Sequence, residues 1–188
     1  TTNASNIDIN DATTLGADST LTTANGTVDF ASTINGASQN LDISSGSGAV
    51  SIGGTIGGTG GLSTLDINNA AGAGAITLND IGDSDTVGVA GTSRIGNDTT
   101  VTLTLAGTTY KTGSSANEST TYTSKAGENI DLTGGGDTTF TTTNTAITFG
   151  TGTLEMGNGS NLIIDTGTGG GAIDLTGGVM GTSSENIT

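Results

Sequence analysis

The sequence predicts an all-β protein, a parallel β-helix (β-solenoid) of about eight coils of 22–26 residues. Three observations carry that prediction: apolar residues fall in short alternating triplets, the triplets recur at the spacing of one coil, and glycine clusters mark the joints.

In chain order the triplets are Ile7-Asp8-Ile9, Val28-Asp29-Phe30, Leu41-Asp42-Ile43, Val50-Ser51-Ile52, Leu65-Asp66-Ile67 and Ile76-Thr77-Leu78. The form returns as Ile130-Asp131-Leu132, Ile147-Thr148-Phe149, Leu154-Glu155-Met156 and Ile173-Asp174-Leu175. Each sends two apolar side chains one way and a polar one the other, the period of a half-buried strand. No stretch carries an apolar stripe at helical spacing.

Leu41 to Leu65, Val50 to Ile76, Leu65 to Val87 and Ile147 to Ile173 each read as one coil advance of roughly 22–26 residues. Isolated apolar residues (Ile34, Ile56, Ile81, Val179) sit between triplets, as a third short strand per coil would. The runs Gly57-Gly58, Gly60-Gly61, Gly134-Gly135-Gly136 and Gly169-Gly170-Gly171 suit tight corners. A β-sandwich competes, since it too has a strand every 8–12 residues. The brevity of the strands and the presence of only two Tyr, three Phe and no Trp favour the solenoid.

Composition sets limits on function. Leu, Ile, Val and Phe total 37 of 188, low enough to raise disorder, against which the regular alternation stands. With no Cys and no His, a zinc site of the usual ligands, a thiol nucleophile and a Ser-His-Asp triad are excluded. Arg94, Lys111 and Lys125 are the only cations against 18 acids, a net charge of -15. No nucleic-acid or anionic-membrane partner is expected. No apolar run approaches the roughly 20 residues of a membrane span, so no membrane insertion is expected.

A longer period overlies the coil. Residues 18–30 align with 137–149 without a gap, six of thirteen identical, and the match of 18–67 with 137–188 drifts only from an offset of 119 to 123. Residues 1–188 thus read as one solenoid segment of about 1.5 copies of a ~120-residue unit. Asn186-Ile187-Thr188 looks like the start of a strand and not a cap, so coverage by further repeats or by neighbouring subunits is expected.

Residues 106–129 have little aliphatic content and hold both Tyr and both Lys residues. They read either as a polar excursion that binds a ligand, or as an ordinary coil with Tyr110 and Tyr122 packed as strand residues.

Asp80, Asp83 and Asp85 place three carboxylates within six residues, the hard oxygen ligands that calcium takes. The chain lacks the calcium-binding nonapeptides of β-rolls and the EF-hand loop, so a solvated acidic loop is the competing reading. No other cofactor is expected. Of the fifteen other acids, seven lie at the middle of triplets and face solvent, and with scattered cations and no Trp no enzyme is expected. Thr102-Leu103-Thr104 and Thr139-Phe140-Thr141 are reminiscent of the threonine arrays of ice-binding solenoids, although they do not recur in every coil. Sequons at Asn3, Asn25, Asn97, Asn117, Asn158 and Asn186 arise readily in a chain this rich in Thr and Asn.

Runs such as GTVDFASTINGASQNLDISSGSGAVSIGGTIGGTGGLSTLDI and TTYTSKAGENIDLTGGGDTTFTTTNTAITFGTGTLEMGNGSNLIIDTGTGGGAIDLTGG resemble the repeats of giant bacterial exoproteins. These are the filamentous-haemagglutinin-like adhesins of two-partner secretion and related autotransporter-type surface proteins. The resemblance covers essentially the whole chain and implies a right-handed parallel β-helix, export through an outer-membrane pore and a stalk role at the bacterial cell surface. It brings no catalytic residues, and the family's N-terminal secretion domain has no match here. The expected function is therefore a non-catalytic rod of a large secreted adhesin, with adjacent repeats of the same protein, or a host or neighbouring cell surface, as partners. The alternative is a self-assembling extracellular filament subunit joined through strand edges.

Overall fold

The computed structural model describes residues 5–157, 159–181 and 184–188. Among them every regular element is a strand, and every strand pair is parallel, which winds the chain into a β-solenoid of about seven turns. All ten triplets lie in strands.

Each turn has three faces. The first carries eight strands: Ile7–Ile9, Val28–Phe30, Val50–Ile52, Ile76–Leu78, Leu103–Leu105, Asn129–Leu132, Thr153–Met156 and Val179–Met180. The third carries seven, from Ser19–Thr22 through Asn40–Ser44, Thr64–Ile67, Ser93–Ile95, Ser119–Tyr122 and Ala146–Phe149 to Ile173–Leu175. The second is interrupted: Thr13–Leu15 pairs with Ile34–Gly36, single bridges run through Ile56 and Ile81, and Thr109–Lys111, Thr138–Thr141 and Leu162–Asp165 complete it. At ~4.8 Å per turn the rod is roughly 34 Å long.

Turn length is not constant. On the first face the chain returns soonest in the opening turn, where Ile7 pairs with Val28, and takes longer in the middle, where Ile76 pairs with Leu103. Three of the four expected coil spacings are register pairs: Leu41 with Leu65, Val50 with Ile76, Ile147 with Ile173. The fourth is corrected. Leu65 pairs with Ser93, not Val87, because a loop at 82–88 lengthens the chain before the third face resumes.

The core is a set of vertical columns. Val28, Val50, Ile76, Leu103, Ile130 and Leu154 stack in register with almost no exposure. Parallel register puts like side chains above like, and each buried aliphatic contributes about 1.5–3 kcal/mol. In the later turns the core becomes aromatic: Tyr110 stacks on Phe140 at 4.9 Å, Tyr122 on Phe149 at 5.4 Å, and Phe140 meets Phe149 edge-on at 4.9 Å. Residues 106–129 are therefore ordinary coil, with Tyr110 and Tyr122 fully buried on two faces. The excursion is not formed, because burying two large rings outweighs the polarity of the flanking Thr and Ser.

Corners need small residues where turns stack. A Cβ on Gly74 would lie 1.8 Å from the Gly48 carbonyl oxygen directly below, and one on Gly48 would lie 2.1 Å from that of Gly26. Gly57 adds a positive φ of 71° where a Cβ would strike Gly88.

Candidate functional site

Of the three carboxylates expected to take calcium, two are spent on the coil itself. Asp80 Oδ1 accepts the Thr108 and Thr109 amides of the next turn at 2.7 and 2.8 Å. Asp83 Oδ1 accepts the amides of Asp85 and Thr86 at 2.8 and 2.6 Å, closing its own loop. Those two amide hydrogen bonds, with a small contribution from the charge of Lys111, hold the Asp83 carboxyl below its ordinary range. Lys111 Nζ donates to the Ser84 carbonyl and braces the same loop. Among the described residues no three acids gather at a spacing that would hold a metal ion.

A surface groove lies elsewhere, on the outer side of the first face. A groove of about 410 Å³ is lined by Asn129, Asp131, Leu132, Thr133, Glu155, Met156 and Gly157. Asp131 and Glu155 are register partners on neighbouring strands, and the Asn129 amide donates to Glu155. Partial burial pushes the Asp131 carboxyl above its ordinary value, with Asn129 pulling the other way. Two carboxyls and an amide in an open groove offer hydrogen bonds to a hydroxylated or cationic group, and no Lys, Arg or aromatic lines it. The sequence carried the signal for this pair: the triplets Ile130-Asp131-Leu132 and Leu154-Glu155-Met156, one coil apart, send both acids outward in one column.

The other outward columns are mixed. On the third face Thr20, Asp42, Asp66, Arg94, Thr121, Thr148 and Asp174 follow one another, and Arg94 clamps Asp66 through two bonds of 2.7 Å. Thr139 and Thr141 are followed by Ile163 and Asp165, so the threonines build no continuous flat array. Of the sequon asparagines, Asn3 and Asn158 lie outside the described residues, and the Asn97 amide is engaged by the Asn68 and Gly72 carbonyls.

The ~120-residue match acquires a geometry. Residues 18–30 run from the third face to the first, whereas 137–149 run from the second to the third. Thr23 Oγ1 donates to the Gly26 carbonyl at 2.6 Å, and its counterpart Thr142 Oγ1 donates to that of Thr145 at 2.7 Å. Asp18 accepts the Asn40 amide one turn on at 2.9 Å, as Asp137 accepts that of Asn161 at 3.0 Å. The same strand-corner-strand piece is thus used on different faces. Thr182, within the matched stretch, lies outside the described residues.

No protein-family model, curated protein or solved structure matches the chain. The class is defined by the fold alone: a three-faced parallel β-solenoid wound around one buried core.

Proposed function

We propose that this chain is a non-catalytic structural rod, a stalk segment of a large secreted bacterial surface protein of the adhesin type. One observation carries the reading: parallel register on the first and third faces continues without a break through about seven turns around one buried core. Within the rod, inter-turn hydrogen bonds and packed columns resist extension and proteolysis, which suits a spacer held away from a cell.

The test is antibody against the 188-residue chain, applied to intact and permeabilised source cells and to a denaturing blot. Labelling of intact cells, with a band far heavier than this chain, is expected. Labelling only after permeabilisation would sink the surface role, and a band at the mass of this chain would favour the filament subunit.

A further inference from the structure

The third-face core column runs Leu41, Leu65, Ser93, Thr120, Ile147. Two hydroxyls thus interrupt an aliphatic stack, both with no exposure. Across the core Thr112, itself buried, meets Thr120 with 2.8 Å between the hydroxyl oxygens. Tyr122, two residues beyond Thr120 on the same strand, is fully buried, and its hydroxyl lies near that of Thr112. Neither the Ser93 Oγ nor the Tyr122 Oη has a hydrogen-bond partner in the protein.

Two of the four partnerless buried hydroxyls among the described residues sit beside a hydroxyl pair, an arrangement hard to reconcile with a dry interior. The large majority of buried side-chain polar atoms are satisfied, by protein or by ordered water. An unpaired hydroxyl carries its full desolvation cost, which folding retains only where something offsets it. Chain elements around this section hold no spare carbonyl or carboxylate aimed at Ser93 or Tyr122, since neither atom finds an acceptor. A neutral molecule that both donates and accepts is what four hydroxyls complement.

We infer that Ser93, Thr112, Thr120 and Tyr122 line a buried hydration site, where an ordered water links the orphan hydroxyls and interrupts the third-face column of the core. That column is aliphatic on the side of Leu65, and aromatic rings gather on the other side at Phe140 and Phe149. The assignment is independent of where the rod is displayed.

The experiment is a crystal structure at high resolution together with melting of Tyr122→Phe, Ser93→Ala and the double variant. Density is expected within about 2.6–3.2 Å of both orphan oxygens. Tyr122→Phe keeps the ring and the fold, to be checked by far-UV circular dichroism, and is expected to lower Tm by about 2–6 °C. The double variant is expected to lose less than the two single losses combined, because both remove the same bridge. No density between the two hydroxyls, or a Tyr122→Phe protein that melts at or above the wild type, would overturn the site.

Discussion

Residues 18–30 and 137–149 share six of thirteen identities, yet they build different parts of the rod. The first copy enters on the third face in the opening turn, where Leu21 is only partly buried. The second enters on the second face, where the counterpart Phe140 is fully buried against Tyr110 and Tyr122. Between them lie four full turns and two further faces, so the unit is out of phase with the three-sided coil. The lesson is that what repeats is a strand, a hydroxyl-capped corner and the next strand, and not a turn. Three faces that all read apolar-polar-apolar can accept that piece interchangeably. Which face receives it is set by loop length: with every turn as long as that from Leu41 to Leu65, an offset of 119 would return close to the same face. The longer turns between Val50 and Ile130 shift it by one.

The comparison can be broken at its core first. Phe140→Ala is expected to cost about 3–5 kcal/mol, and Leu21→Ala about half that or less, because Leu21 has already kept part of its surface in water. Urea unfolding of the two variants checks it, and equal losses would mean that the opening turn is packed as tightly as the middle.

A finer contrast uses a residue common to both copies. Phe30 and Phe149 are both buried, but Phe149 alone stacks on other rings. Phe149→Leu should therefore cost about 0.5–1.5 kcal/mol more than Phe30→Leu in the same urea titration.

The corners, in contrast, should behave alike. Thr23→Val and Thr142→Val remove the same hydroxyl-to-carbonyl bond, of 2.6 and 2.7 Å, and each is expected to cost about 1–2 kcal/mol. A marked difference in denaturation midpoint would show that the face, and not the corner, sets the strength of that bond.

The smallest effect concerns Asp131 and is a gain. Its carboxyl titrates above the ordinary value in the fold, so the folded chain binds that proton more tightly than the unfolded one. Ionised at neutral pH, it works against folding, and the penalty fades as pH falls through its folded value. Asp131→Asn, which also removes a like charge opposite Glu155, should raise Tm by about 1–3 °C at neutral pH. That gain should close below about pH 3.9. A gain that persists in acid would assign it to packing instead.

Much of this was legible before any coordinates. Ile7-Asp8-Ile9 and its nine relatives fix their own alternation, and the spacings at Leu41, Val50 and Ile147 give true register pairs. Val87 misled because an apolar residue in a loop looks like one in a strand, and only pairing distinguishes them. The partners of Asp80 and Asp83 were not legible, because clustering in sequence says nothing of which amides a carboxylate meets in its own loop or the next turn. Asp131 and Glu155 became visible as a pair once the turn length between them was known.

The sequence by itself determined strands, corners and the parallel coil, since alternation and glycine placement act within a few residues. Only the tertiary structure decided the phase: which face each strand joins, that Tyr110 and Tyr122 enter the core, and where the Thr112 and Thr120 hydroxyls meet inside it. The physical reason is that phase accumulates over every preceding loop. Turns of unequal length, short from Ile7 to Val28 and longer from Ile76 to Leu103, leave it undefined until neighbouring columns lock together.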